Sequence, residues 1–311
     1  MNKIPSHLRI STLLASAACL SGFAYADDPV GAEVVARVVH GSLYASSGPD
    51  INQVLDLKTG TSTATTTVGL SGVSRVVDTG FGSPSKVMTT VTGAATATAD
   101  YAAGILRTGA SLQFSASNGY GTAGSSGYAS MGDILTLSAP ATITLSGIWN
   151  GTLTGDGSPF SSTTGTLDLT LRSLTHITSV SDGEGGFHDV STYDLFGSYH
   201  NQLYAPTTGS FQKLVNEPFS ITANLPAGQF YFGAIMTSTV LADADRDPSP
   251  FSVSGNADFT HTLEFGFAVP DGVNLTSQTG ETVPATPVPE PQTCALFGGI
   301  ALLAWGVWRR R

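Results

Sequence analysis

The segment LADADRDPSP, residues 241–250, places three acidic residues where they could bind a metal ion. Asp243, Asp245 and Asp247 alternate along the chain, directly after a predicted strand. Three carboxylates on a tight loop attract a hard cation, and Ca²⁺ is the one available outside cells. The spacing therefore predicts a calcium site, which would be the one cofactor of the chain.

The same segment does not follow the EF-hand pattern. Pro248 stands where that loop needs glycine, and Ser254 stands where it needs a bidentate glutamate. Arg246 lowers the local negative charge. The alternative to calcium is a polar loop whose acids face water and pair with Arg246.

A second polar cluster lies in GGFHDVSTYDLFGSYHN, residues 185–201. His188, Asp189, Asp194 and His200 could converge on a strand and its turn, although a solvated or hydrogen-bonded cluster is the favoured interpretation. Neither Gly-x-Ser-x-Gly nor His-Glu-x-x-His occurs in the sequence. We therefore predict no catalytic residues and no enzyme.

Cysteine is limited to Cys19 and Cys294, near the two ends of the chain. The stretch between residues 27 and 287 therefore offers no thiolate for a zinc site and no cysteine nucleophile. At about 260 residues, this body is long enough to bury its own core without disulfides.

Aromatic residues give a third kind of candidate, since they can stack on sugar rings. Tyr120, Tyr128 and Trp149 could do so. Trp149 also lies in an alternating segment, where a core position is the alternative. His261 alternates with apolar residues and is expected to face inward with its hydrogen bonds satisfied.

The elements that must position these residues read as β-strands. Polar and apolar residues alternate, Asn-Gly and Asp-Gly turns separate the segments, and no stretch of the body has helical spacing. Strands are predicted at residues 34–40, 86–99, 133–153 with a break at Pro140, 166–180, 229–242 and 257–269. This pattern predicts an all-β, antiparallel β-sandwich, jelly-roll-like, with a barrel or a β-helix as alternatives.

Two further segments do not read as regular strands. Residues 59–69 are rich in threonine and could be an edge strand or a loop. Residues 117–130, SNGYGTAGSSGYAS, are of low complexity and are expected to form a loop.

The N-terminus has the three parts of a secretory signal. Lys3 and Arg9 precede an uncharged apolar run, and Ala24 and Ala26 form an A-x-A cleavage site. We therefore predict a cleaved signal peptide at residues 1–26 and export of the remaining chain.

The C-terminus ends in PVPEPQTCALFGGIALLAWGVWRRR. Residues 293–308 carry no charge, and as a helix their 16 positions would span about 24 Å. This is shorter than a hydrocarbon core of about 30 Å, although such a helix could stop transfer. Arg309, Arg310 and Arg311 would then stay on the cytoplasmic side. Pro289 and Pro291 keep the preceding residues extended.

This order of Val288-Pro289-Glu290-Pro291, a short apolar helix and terminal arginines resembles the PEP-CTERM sorting signal of Gram-negative bacteria. The resemblance covers residues 288–311. It implies that an exosortase recognises the tail, that the inner membrane holds the chain only transiently, and that the protein then reaches the cell surface or the extracellular space. Many proteins with this tail are associated with extracellular polysaccharide or biofilm matrix.

These observations divide the chain into a signal peptide (residues 1–26), a β-sandwich body (27–280), a linker (281–287) and the sorting signal (288–311). Residues 27–290 hold all 23 acidic residues and eight basic ones, a net charge near −15. Such a surface repels nucleic acid, so no nucleic-acid partner is expected. We predict a non-catalytic structural or interaction role in the matrix. The alternatives are a carbohydrate-binding module and, less favoured, a secreted hydrolase.

Overall fold

The computed structural model describes most of the body and no residue of the two terminal signals. The described ranges are 31–41, 52–60, 63–78, 86–116, 121–156, 161–174, 176–181, 187–205, 210–244, 250–281 and 283–284. The predicted cleavage site at Ala24 and Ala26 and the predicted sorting signal lie outside them, so those predictions are not tested.

The described part of the chain consists of strands joined by turns. In chain order they are β1 (Gly31–Gly41), β2 (Asn52–Gly60), β3 (Thr63–Asp78), β4 (Lys86–Asp100), β5 (Ile105–Ala116), β6 (Gly121–Leu137), β7 (Ala141–Gly155), β8 (Ser161–Arg172), β9 (His176–Ser181), β10 (Phe187–Thr192), β11 (Leu195–Tyr204), β12 (Phe211–Leu225), β13 (Gly228–Ala244), β14 (Phe251–Ala268) and β15 (Leu275–Ser277).

The strands form two antiparallel sheets that face each other. Sheet A has the order β11-β8-β13-β6-β1-β2, with the short β15 also paired to β6, and sheet B has the order β12-β7-β14-β5-β4-β3. The hairpin β9–β10 forms a separate two-stranded sheet. The large apolar side chains of both sheets meet in one core. The prediction of an all-β antiparallel sandwich is confirmed.

Alternation along each strand explains which residues reach this core. In β8, Leu167, Leu169 and Leu171 are buried, whereas the polar residues between them are partly exposed. In β14, Phe259 and Phe265 both face the core. Between these two residues the pairing of β14 with β5 and with β7 is interrupted, and at the interruption β14 contains two more residues than either neighbour. An insertion of two residues preserves the side-chain alternation, so the apolar face continues past the irregularity.

Successive strands repeatedly change sheet. Four pairs of strands, β5 with β6, β7 with β8, β11 with β12 and β13 with β14, each place one member in sheet B and the other opposite it in sheet A. The first four strands extend both sheets on the side of β5 and β6. The chain therefore builds an eight-stranded centre and adds four strands to one side of it.

The expectation of a loop over residues 117–130 is wrong from residue 121 onward. Residues 121–130 belong to β6, a long internal strand that pairs with β1 and β13. Its small side chains let the sheets approach closely. A Cβ atom at Gly127 would lie 2.3 Å from the carbonyl oxygen of Thr96 on the opposite sheet, and the hydroxyl of Ser125 donates to Ala94 O at 2.6 Å. Glycine and serine here serve packing between sheets, not a turn.

The threonine-rich segment is an edge strand from residue 63 onward, as one of its two interpretations predicted. β3 pairs only with β4 and is the last strand of sheet B. The opposite edge of sheet B is β12, which contains Pro218. Proline lacks the N–H group that a further strand would need, and it is tolerated at a sheet edge for this reason.

The chain lies against the sandwich as far as its last described residue. Of the predicted linker, residues 281, 283 and 284 are described. Val283 packs against the core, and the carbonyl oxygen of Pro284 accepts a hydrogen bond from Phe267 N at 2.8 Å. Gly104 has φ of 65°, and a Cβ atom there would lie 2.9 Å from the Pro284 ring. The absence of a side chain at Gly104 therefore makes room for Pro284.

Candidate functional site

The acidic segment is only partly described. Asp243 is the second-last residue of β13, where it pairs with Thr122, as expected for a position at the end of a strand. Its side chain, and Asp245 and Asp247 as a whole, lie outside the described part. Among the described residues, no three His, Cys, Asp or Glu side chains gather closely enough to hold a metal ion. The calcium site stays a prediction.

The predicted cluster around His200 has a different composition from the one expected. Asp194 directly precedes β11 and His200 lies on it six residues further on, about 20 Å away along an extended chain, so they do not converge. The side chains of His188 and Asp189 are not among those described. Instead, His200 Nδ1 lies 2.5 Å from Oδ1 of Asp168, which is directly opposite it on β8.

Asp168 was missed because it is 32 residues away from His200 in the sequence. The pair resembles the base and orienting acid of a catalytic triad, with a largely exposed imidazole. The nearest outward-facing neighbours on the same strand, Ser198 and Gln202, are each two residues away, about 7 Å. The Ser198 hydroxyl makes no hydrogen bond to His200, and a glutamine side chain is not a nucleophile, so neither residue completes such a triad.

The two aromatic candidates for sugar stacking that the structure describes, Trp149 and Tyr128, are not exposed platforms. Trp149 is fully buried and stacks on Phe259, with ring centroids 4.9 Å apart, so its alternative as a core residue is confirmed. Two glycines make room for Phe259, since a Cβ atom at Gly151 or Gly165 would lie 2.2 or 2.4 Å from its ring. Tyr128 is also buried, and Tyr120 lies outside the described residues.

A buried polar cluster is centred on Asp133 of β6. The Asp133 side chain is fully buried, and its Oδ2 accepts hydrogen bonds from the hydroxyls of Ser277 and Thr279. Burial, and next the negative charge of Asp133, raise the pKa of Tyr101 above its ordinary value. We call Asp133, Tyr101, Ser277 and Thr279 the buried cluster. Asp133 and Tyr101 are buried, whereas Ser277 and Thr279 are partly exposed, and the hydrogen bonds from Ser277 and Thr279 to Asp133 fasten β15 and the following residues to the sandwich.

A cleft with a volume of about 470 Å³ lies on the outer face of sheet B. Its floor is formed by six outward-facing polar side chains on four neighbouring strands: Thr92, Ser111, Gln113, Thr154, Ser254 and Asn256. We call these six residues the polar floor. They form two rows across the sheet, because Thr92, Gln113 and Ser254 are paired in one row, and Ser111, Asn256 and Thr154 in the next.

The rim of the cleft holds Asp156, the one acidic side chain among its described residues, together with Ser210. Asp156 follows β7, and its carboxylate accepts a hydrogen bond from Ser254 N. Its own backbone N donates to Ser254 O at 3.2 Å. These two bonds fix Asp156 beside the floor. Among the described residues that line the cleft, none is Lys, Arg or His.

Sequence reasoning did not predict the cleft, because its residues come from segments between positions 92 and 256. Each of them reads as an ordinary solvent-facing position of a half-buried strand. Only the pairing register brings them together, and the register depends on contacts that are distant in the sequence.

Neither a search for membrane-spanning helices nor comparison with known proteins adds a further site. The described residues contain no helix with the length and apolar character needed to cross a membrane. No protein-family model, no curated protein and no solved structure matches this chain.

Proposed function

We propose that this is an exported protein that an exosortase sorts to the cell surface or the extracellular matrix, where its body has a non-catalytic interaction role. The observation that carries the proposal is the tail of Pro289-Glu290-Pro291, an uncharged run and three final arginines. A signal at residues 1–26 would start export, and the apolar run at 293–308 would stop it.

The tail would act as a transient anchor in the inner membrane. Its apolar run is short for a permanent span. Each terminal arginine would cost about 2.5–3.5 kcal/mol to move through the centre of the bilayer, which holds the end inside. The anchor would thus keep Glu290 and its two flanking prolines at the membrane surface, accessible to a membrane enzyme.

Fractionation of cells that produce an exosortase tests this role. With an antibody against the body, we expect the wild-type chain to be released without its tail. The Glu290→Ala chain should remain uncut in the inner membrane, and a Glu264→Ala chain, changed at an exposed position of the body, should behave as the wild type does. Release of both the wild type and Glu290→Ala with the tail attached would contradict the proposal.

We also infer that the sandwich is a jelly roll. If the eight central strands from β5 to β14, without the β9–β10 hairpin, are numbered 1 to 8, the sheet orders are 1-8-3-6 and 2-7-4-5. This order, with paired strands that alternate between sheets, is what a jelly roll of two Greek keys requires. A crystal structure in which β5 and β14 are not neighbours would contradict it.

A carbohydrate-binding role is the second candidate, and the cleft on sheet B favours it. The cleft has the size of small-molecule sites, which range from about 300 to 1,000 Å³. Its lining offers hydroxyl and amide groups. Trp149 cannot contribute, since it is in the core. Binding of the full chain to immobilised polysaccharide, compared with a bare support, tests this candidate, and equal retention on both would count against it.

A further inference from the structure

We infer that the cleft on the outer face of sheet B binds a neutral oligosaccharide edge-on, through hydrogen bonds and without an aromatic platform. This inference rests on the proposed interaction role and specifies its ligand.

Two side chains of the polar floor, Gln113 and Asn256, offer unused hydrogen-bonding capacity. The side-chain amides of Gln113 and Asn256 make no hydrogen bond to any part of the chain that the structure describes, and both are accessible to solvent. Each amide has one acceptor oxygen and two donor hydrogens. A sugar hydroxyl is both a donor and an acceptor, so adjacent hydroxyls on one ring can use both sides of an amide.

The spacing of the floor suits a sugar ring. Neighbouring strands are about 4.8 Å apart, and outward-facing residues on one strand are about 6.8 Å apart. Gln113 is paired with Ser254, and Asn256 is two residues further along β14, so the two amides are diagonal neighbours. Such diagonal positions are about 7–8 Å apart. The two amides and the serine hydroxyls between them can therefore contact different hydroxyls of one or two linked rings.

The charge of the cleft selects against acidic ligands. The part of its lining that the structure describes has no basic side chain to pair with a carboxylate, sulfate or phosphate group, and the Asp156 carboxylate is held at the rim. An apolar ligand is disfavoured as well, because it would cover the amides of Gln113 and Asn256 without replacing their bonds to water. Leu112 is among the lining residues, but its side chain is buried in the core.

No aromatic side chain is present among the described residues of the lining, and this sets the binding mode. Without stacking, a ring must lie with its hydroxyl edge against the sheet. Net hydrogen bonds contribute little singly, so we expect weak affinity for one sugar and an increase with chain length as successive rings occupy the two rows.

The experiment is a binding titration of the purified full chain in detergent against oligomers of glucose, mannose and galactose with two to six units. Uronic-acid and sulfated oligomers are measured in parallel. We expect saturable binding of at least one neutral series and none of the acidic ones. Gln113→Ala and Asn256→Ala should each weaken binding about five- to tenfold, which corresponds to the loss of one or two hydrogen bonds.

Asn224→Ala is the matched control. Asn224 is an exposed amide on the same face of sheet B, paired with Thr142 at the end of β7 remote from the cleft. It should leave binding unchanged. Neutral-glycan binding that survives both cleft substitutions would overturn the inference, as would a preference for acidic glycans or no binding at all. None of these results would affect the fractionation test of export and sorting.

Discussion

The buried cluster around Asp133 and the polar floor of the cleft are made of similar residue types, and they differ in what surrounds them. Asp133 is fully buried and holds the hydroxyls of Ser277 and Thr279. The amides of Gln113 and Asn256 face solvent. A polar group that is buried must be satisfied by the protein, whereas an exposed one can exchange water for a ligand. The comparison separates polar groups that hold the fold together from those that can recognise another molecule.

The largest expected effect comes from removing the acceptor of the buried cluster. Asp133→Ala leaves the hydroxyls of Ser277 and Thr279 without their shared partner and opens a cavity beside Tyr101. We expect the free energy of unfolding to fall by about 2–4 kcal/mol. Urea denaturation measures it, with Glu264→Ala at an exposed position as the control, expected within about 0.5 kcal/mol of the wild type. An Asp133→Ala chain as stable as the wild type would show that the carboxylate does not fasten β15.

A pair of buried hydroxyl groups tests whether stability depends on each buried polar group having a hydrogen-bond partner, and not on polarity itself. Thr108 Oγ1 and Ser238 Oγ lie 2.5 Å apart across the two sheets, and both residues are fully buried. Thr108→Val keeps the shape and removes one partner, so we expect a loss of about 1–2 kcal/mol in unfolding free energy.

Adding Ser238→Ala to this variant removes the second partner. Because no hydroxyl is then left unsatisfied, we expect the double variant to regain part of the lost stability in urea denaturation. If the loss of unfolding free energy in the double variant equals the sum of the losses in the two single variants, the two hydroxyl groups do not stabilise the fold through each other.

Tyr101 connects the buried cluster to pH. Its pKa in the folded protein is raised from an ordinary value of 10.0, mainly by burial and then by the charge of Asp133. Above pH 10 the unfolded chain releases this phenolic proton and the folded protein keeps it, so stability is lost as the pH rises. The slope for one such group is at most about 1.4 kcal/mol per pH unit.

Tyr101→Phe should reduce that slope, and Tyr204→Phe should not, since Tyr204 is 61% exposed. Urea denaturation between pH 9 and 11 compares the three chains. If Tyr101→Phe follows the same pH dependence as the wild type, Tyr101 ionises equally in the folded and unfolded states.

Strands β8 and β6 show which features of the fold the sequence could predict and which it could not. The alternation of Leu167, Leu169 and Leu171 is local, so it predicted both a strand and its buried face. The small residues of β6 misled the prediction, because Gly127 and Ser125 read as loop residues when their role is to let two sheets approach. Small size is a signal shared by turns and by tight packing, and the sequence alone does not distinguish them.

The sequence could not predict sites that depend on the pairing register of the strands. Asp168 meets His200, and Gln113 comes beside Asn256, only because particular strands pair in a particular alignment. Trp149 could equally have been core or a sugar platform until its neighbour Phe259 was known. Local periodicity thus predicts which face of a strand is buried, and long-range pairing decides which exposed residues lie together.

The smallest expected effect on stability belongs to the polar floor, and it completes the comparison. Gln113→Ala and Asn256→Ala combined remove two amides, more polar atoms than Asp133→Ala removes. No hydrogen bond within the described residues is lost with them. We expect the unfolding free energy of the double variant to stay within about 0.5 kcal/mol of the wild type, measured by the same urea denaturation. A loss above about 1 kcal/mol would mean that these amides support the sheet, and a weaker glycan affinity of the variant would then no longer identify a binding surface. An unchanged stability together with a reduced affinity would assign the two amides to recognition.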